Sequence, residues 1–390
     1  MNNSRFSFIK KNDTLYLEIE SCRPRPDGKR RENMKETKNR AARDIIVVGF
    51  ALFSMFFGAG NVIFPPYLGM ESGPQWLAGF SAYFIADIGL ALAAMFALLR
   101  VGSSEAVLQR VGCVPSEILM CAIILCVGPM VAIPRTSAST FEMAIAPNLP
   151  GVSAVVFSVL FFALILALCI RESAVVDIVG KVLTPLLLAG LAAIIIKGIV
   201  TPLGTIAPEA QIDSAVVTGV KAGYQTMDAI AALNFGIIIA MNINNRGVSE
   251  RSAVVKEITY AGWIAGLIFL VVYGAIAHVG AVAGGAYGEL ADGTAALTAI
   301  TRDLFGNAGI VLLGLIFLLA CLNTCIGLIS CCSEYFSQIL PRFSQRQWAF
   351  FFAFVSMVIS NAGLSAILAV SVPVLGMIYP PALVLILLSF

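Results

Sequence analysis

The chain has 390 residues, 59% of them hydrophobic and only 12% charged, with a formal net charge of +2. A soluble fold carries about twice that charged share to cover its core, so a soluble enzyme, a disulfide scaffold and a disordered chain are excluded. The apolar runs are continuous, as in FSVLFFALILALCI over 157–170, which argues against a membrane β-barrel, whose strands alternate in polarity. The expected class is an all-α integral membrane protein.

Residues 1–43 form a polar tail, and residues 1–44 carry twelve Lys/Arg against seven Asp/Glu. No apolar stretch follows a short basic one there, so the tail is not a signal peptide. It reads as a disordered, cytoplasmic extension beside an anionic membrane surface. A nucleic-acid-binding arm is the other reading of such a tail, and no nucleic-acid partner is expected. Met34 opens a second basic leader, MKETKNRAARD, and makes an alternative start. The nine Cys lie mostly inside apolar runs and read as small buried residues. With one histidine, His278, no His/Cys metal cluster or Ser/His pair is assembled.

Residues 44–390 form the transmembrane domain. A helical crossing takes about 20 apolar residues, and ten are expected, at roughly 45–69, 76–100, 117–138, 152–170, 176–199, 221–242, 257–280, 309–332, 347–361 and 365–388. Lys and Arg favour the loops that are inner if the N-terminus is cytoplasmic, which places both termini inside. The segment 281–308, with GTAALTAITRDLFG, is too polar to cross and fits either a short helix over the outer mouth or a plain loop.

The first crossing reads IIVVGFALFSMFFGAGNVIFPPYLG. An Asn between glycines, followed by Pro65 and Pro66, predicts a broken helix around Gly58, Ala59, Gly60 and Asn61 rather than a packing kink. The sixth, VKAGYQTMDAIAALNFGIIIA, holds Gln225, Thr226, Met227 and Asp228 several residues deep. A membrane acid defaults to a functional role; the alternative is that Asp228 caps the following half-helix. The two interrupted spans open two groups of five, about 45–200 and 221–390. An odd group length makes them inverted repeats, the pattern of a secondary transporter with its site at the breaks.

The eighth crossing places Ala320, Asn323 and Thr324 at i, i+3 and i+4 on one face. With carbonyls at Ser54 and Phe57 they make an oxygen set for a hard cation such as sodium; interhelical hydrogen bonding is the competing reading. Asp87, mid-span in SAYFIADIGLAL, has no evident partner and reads as a structural acid or a proton-relay group. Arg135 and Glu142 are expected to face each other at the outer end of the third crossing.

These segments carry a resemblance. RDIIVVGFALFSMFFGAGNVIFPP (43–66), VGPMVAIPRTSASTFEMAIAP (127–147), GYQTMDAIAALNFGIIIA (223–240), NNRGVSE (244–250), IFLLACLNTCIGLISCCSEYF (316–336) and FVSMVISNAGLSAILAVSVPVLGMIYPP (354–381) resemble the bacterial branched-chain amino acid:cation symporters. The resemblance implies the LeuT-type 5+5 inverted repeat with spans 1 and 6 broken. It also implies location in the bacterial cytoplasmic membrane among its lipids, and inward transport of leucine, isoleucine and valine with sodium or a proton. No cofactor beyond the coupling ion and no enzymatic activity are implied. Family members usually have two more spans than this chain. A carrier for another neutral solute, or an inactive relative, remains the alternative.

Overall fold

The computed structural model describes residues 7–11, 14–18, 45–101, 107–108, 112–169, 179–233, 235, 251–287, 290 and 292–390. The rest of the tail, residues 170 and 176–178 of the expected fourth and fifth crossings, 236–242 of the sixth and the NNRGVSE segment lie outside the described residues. Within the tail, β1 (Ser7–Lys11) and β2 (Thr14–Glu18) pair antiparallel, a hairpin the all-α expectation did not include. Everything else in the described chain that is regular is helical, as long apolar runs require when no water is present to satisfy the backbone.

Helix α1 (Ile45–Phe56) is followed by α2 (Ala59–Ser72). Gly73, at φ +50, turns the chain back, so that α3 (Trp76–Phe84) packs against α2. The left-handed turn explains how one apolar helical run, Ala59–Val101, reaches 43 residues. At 1.5 Å per residue it would be about 65 Å long if straight, twice a bilayer core. A π-helical turn, Ile85–Gly89, joins α3 to α4 (Leu90–Val101). Next come α5 (Cys113–Leu125), a π turn kinked at Gly128, α6 (Ala132–Thr140) and α7 (Ala154–Cys169). Helix α8 (Thr184–Val200) and α9 (Ala215–Thr226) precede a short helical stretch, α10, at 228–233. The chain closes with α11 (Arg251–Ala283), α12 (Gly293–Phe305), α13 (Asn307–Ile339), α14 (Gln345–Ser360) and α15 (Leu364–Leu387).

Five described stretches are long and apolar enough to cross a membrane, or six if the pair bent by 109° near residues 360–364 is one crossing. The segment after 281 does form a helix, α12, whose first turn is capped by the Asp292 carboxylate accepting from the Ala295 N–H at 2.8 Å.

Two helices are central. In α1 and the residue after it, Ala51, Leu52, Phe53, Met55, Phe56 and Phe57 are all buried, and α13 is buried along most of its length. Peripheral helices turn apolar side chains outward: Val155 and Leu160 on α7, and Phe350, Phe351 and Phe354 on α14. Small residues let the inner helices touch backbone to backbone. A Cβ added at Gly280 of α11 would stand 1.9 Å from the Pro66 carbonyl oxygen of α2. One at Gly223 of α9 would stand 3.0 Å from both the Tyr83 carbonyl oxygen and the Asp87 amide nitrogen. These contacts hold the second half of the first helix pair, and the residues just before Met227, in fixed places around the site described next.

Candidate functional site

The first break falls at Phe57–Gly58. Gly58 is extended (φ −100, ψ −166), and α2 restarts at Ala59. Pro65 and Pro66 lie inside α2. Asn61 ties the restart to the break: its Oδ1 accepts at 3.0 Å from the Gly58 N–H, which also donates to the Phe56 carbonyl at 2.9 Å. The second break is a single residue. Met227 is left-handed (φ 70), between the end of α9 at Thr226 and the start of α10. It is the one non-glycine with positive φ among the described residues, an unusual conformation for a side chain of this size.

The two breaks face each other across a cavity. Gly58, Ala59, Gly60 and Asn61 line it from one side and Thr226, Met227 and Asp228 from the other. Met55, Phe56, Val127, Phe235 and Leu328 give it an apolar wall, and Thr324 and Arg135 complete it. Gln225 does not line it; its backbone carbonyl accepts from Arg135 Nη2 at 3.0 Å. That carbonyl is therefore already engaged rather than free for a ligand's ammonium.

Asp228 departs from the capping role. Its Oδ2 accepts from Asn61 Nδ2 at 2.8 Å, and no bond from its carboxylate to the α10 backbone forms among the described residues. Asp87, expected to lack a partner, sits at the centre of a polar cluster. Thr226 Oγ1 lies 2.8 Å from its Oδ1 and 2.6 Å from the Gly223 carbonyl oxygen, and Asn61 Nδ2 reaches it at 3.5 Å. The Asp87 and Asp228 carboxyls thus converge on one amide nitrogen, both acids being buried. Asn61 Nδ2 also donates to the Tyr273 hydroxyl of α11. The Tyr83 hydroxyl of α3 is fully buried and close to Asp87, yet makes no well-directed hydrogen bond. Two like charges 4 Å apart repel by about 4 kcal/mol at an effective dielectric of 20, so the two acids cannot both be ionised at low cost.

Arg135 is the largest correction. It does not pair with Glu142, whose Oε1 instead accepts from the Leu364 N–H at 3.4 Å. The kink at Gly128–Pro129 redirects the chain into α6 and carries Arg135 to the cavity. There its one hydrogen bond goes to Gln225, and it forms no ion pair among the described residues. A guanidinium has five N–H donors, so most of its capacity is open. The signal was present in the sequence: Gly128–Pro129 interrupts the third crossing as Gly58–Asn61 interrupts the first.

The expected cation ligands are partly gathered. Ser54, Asn323 and Ala320 are buried together in the core, and Asn323 Nδ2 donates to Ser54 Oγ. Asn323 Oδ1 and Thr324 Oγ1 are buried oxygens without a hydrogen-bond partner among the described residues. Thr324 abuts the first break, its Oγ1 lying 3.3 Å from where a Gly58 Cβ would be. Phe57 lies in the break itself. Neutral, unpartnered oxygens beside broken backbone suit a small hard cation, and each costs about 1–3 kcal/mol while unsatisfied.

Comparison with known proteins places this geometry. A family profile described as "Branched-chain amino acid transport protein" matches residues 41–390. The chain is 36% identical over 355 residues to the branched-chain amino acid permease BraB of Bacillus subtilis, covering 89% of this chain and 80% of that one. It is 37% identical over 361 residues to the branched-chain amino acid permease BrnQ of Escherichia coli K12, covering 91% and 82%. Among solved structures it is similar in fold to Mhp1, a nucleobase-cation-symport-1 family transporter (TM-score 0.62, 16% identity, 88% of this chain and 77% of that one). A Na+-coupled sialic acid symporter is similar too (TM-score 0.58, 15% identity, 88% and 78%). At those identities the likeness carries the LeuT-type fold alone. With the family profile spanning nearly the whole apolar region and relatives above one-third identity, the chain belongs to the branched-chain amino acid transport protein family.

Proposed function

We propose that the chain is a secondary carrier that brings leucine, isoleucine and valine into the bacterial cell with a cation. The observation that carries this reading is the cavity between two helix breaks, which joins a guanidinium, a helix N-terminus and a carboxylate to an apolar wall. A free amino acid needs those groups in that arrangement. Its carboxylate fits the N-terminus of α2 at Ala59 and Gly60, where the helix dipole favours an anion, together with Arg135. Its ammonium fits Asp228. The branched side chain takes the wall of Met55, Phe56, Val127, Phe235 and Leu328. One methylene is worth about 1–3 kcal/mol in such a pocket, so the three substrates are weakly discriminated. Membership in a transport family agrees with the expectation that the chain is not an enzyme.

The reading includes ten crossings as two inverted groups of five, about 45–200 and 221–390, with the first and sixth broken and both termini cytoplasmic. Ala59–Val101 then counts as the end of one crossing and the whole of the next, because Gly73 folds it. Rocking of one group against the other about the two breaks exposes the cavity alternately to each side.

Sodium is proposed at Ser54, Phe57, Ala320, Asn323 and Thr324, supported by the two unpartnered oxygens. Thr324→Val keeps the volume and removes a ligand. Its expected result is a several-fold weaker apparent sodium affinity, with a smaller effect on leucine affinity at saturating sodium. Unchanged sodium dependence takes Thr324 out of the site.

The test of function is radiolabelled leucine uptake into liposomes containing the full chain. Accumulation that depends on a cation gradient, with isoleucine and valine competing, is expected. Competition by an unrelated neutral solute alone moves the substrate class elsewhere, and no uptake at all removes the carrier reading.

A further inference from the structure

We infer that Asp87 and Asp228 form a carboxyl–carboxylate pair that binds one exchangeable proton, and that this proton is carried inward with the amino acid. The inference rests on the carrier reading and adds to it a second coupling ion, held apart from the Ser54, Asn323 and Thr324 oxygens.

A carboxylate only accepts hydrogen bonds. Two buried carboxyls that converge on one amide nitrogen are close enough to repel strongly when both are ionised, and like charges so placed leave one of the two protonated. The surrounding donors do not remove that repulsion. Asn61 of α2 divides its amide between Asp228, Asp87 and Tyr273, and the one hydroxyl hydrogen of Thr226 of α9 is shared between Asp87 and the Gly223 carbonyl. Tyr273 of α11 and Tyr379 of α15 lie within electrostatic reach of both acids. Arg135 of α6 supplies the one positive charge acting on the pair among the described residues, and it acts on Asp228. One proton makes the pair a monoanion, which Arg135 balances.

The backbone delivers both acids by irregular means. Asp87 lies in the middle of the π-helical turn Ile85–Gly89, and Asp228 follows the left-handed Met227. π turns are rare and concentrate at functional sites. An independent sign is the Tyr83 hydroxyl, 0% exposed and without a well-made hydrogen bond. In the protonated pair this donor is idle. Once the proton leaves, it is the group available to stabilise the second negative charge.

Access is one-sided. Asp228 lines the cavity, while Asp87 stands behind it, fully buried. A hydronium ion in the outward-facing cavity gives its proton to the Asp228 carboxylate and leaves as water, and the new O–H binds Asp87. On the inward side a water molecule takes the proton back and departs as hydronium. Substrate ties to this step through charge. An amino acid brings one carboxylate and one ammonium, so the occupied site is neutral when the pair keeps its proton and net negative when it does not.

The experiment uses the full chain in liposomes with equal sodium on both sides and the voltage clamped by potassium and valinomycin. Exchange of internal unlabelled leucine for external labelled leucine, without any gradient, tests the carrier reading alone. An external pH one unit below the internal pH then tests the pair. Expected are leucine accumulation approaching about tenfold for one proton per leucine and a leucine-dependent acidification of a trapped dye. Asp87→Asn abolishes both, and Asp87→Glu, which keeps the carboxyl, restores the acidification. Exchange without pH-driven accumulation in the wild type overturns the pair as a coupling site while the carrier reading stands, as does wild-type accumulation by Asp87→Asn. Absence of exchange removes both. If Asp87→Asn does not insert, infrared difference spectra of the wild type decide. A protonated-carboxyl band lost reversibly at alkaline pH supports the pair, and its absence at every pH refutes it.

Discussion

Arg135→Gln is expected to weaken leucine binding about 30- to 150-fold. The side chain lies in the cavity with one hydrogen bond, to the Gln225 carbonyl, and no ion pair among the described residues. An arginine held that way inside a membrane protein is costly unless a ligand anion completes it. A charge-assisted hydrogen bond is worth about 1.5–3 kcal/mol, and the lost interaction with the substrate carboxylate is put at about 2–3 kcal/mol, which gives the stated factor. Glutamine keeps a donor to Gln225 but loses the charge and the fork. Arg135→Lys keeps the charge as a point without bidentate geometry, so it recovers part of the loss. Binding of leucine and of leucinol, which lacks the carboxylate, measured on both proteins by calorimetry, separates this from general damage. The substitution should cost leucine far more than leucinol. An equal loss for both ligands would mean that Arg135 shapes the cavity without touching the carboxylate.

Much of this arrangement was legible in the sequence because membrane helices advertise their exceptions. Gly58, Asn61 and Asp228 stood out as polar or flexible residues inside apolar runs, and each lines the cavity. The oxygen stripe of α13 was readable from spacing alone, though Thr324 turns to the break while Asn323 bonds Ser54. What was not legible depended on three-dimensional aim. Asp87 had no partner within its own span because its partners come from α2 and α9. Arg135 looked like an interfacial charge because a straight helix would have put it at the surface. The kink at Gly128 alters that direction, and a kink angle is not encoded in hydropathy. Pro65 and Pro66 mark where hydrogen bonds are missing, but the break itself lies at Phe57–Gly58, where the Asn61 side chain bonds to Gly58.

Asn61→Asp is expected to abolish leucine uptake at neutral pH and to restore part of it in acid. Asn61 hydrogen-bonds to both the first break and the acid pair. Its Oδ1 accepts the Gly58 N–H at 3.0 Å, and its Nδ2 donates to Asp228 at 2.8 Å with Asp87 at 3.5 Å. Aspartate has the same shape and keeps the bond to Gly58, so the start of α2 survives. In place of the Nδ2 donor it presents an oxygen to two carboxyls. The lost charge-assisted bond costs about 1.5–3 kcal/mol, and a further like charge near 4 Å adds about 4 kcal/mol at an effective dielectric of 20. Together these rival the whole stability of many folded domains, so the three acids move apart or take up protons. Protonation gives the sign of the pH effect. Lower pH puts a hydrogen back where Nδ2 carried one, restoring a donor to Asp228, and higher pH removes it. Asn61→Ala lacks both the Gly58 acceptor and the donor, and no pH returns either. Uptake at matched expression across a pH series therefore separates the two variants. Acid recovery in Asn61→Asp with none in Asn61→Ala supports Asn61 as the donor that links the helix break to the acid pair. Equal, pH-independent loss in both would reduce it to a helix cap.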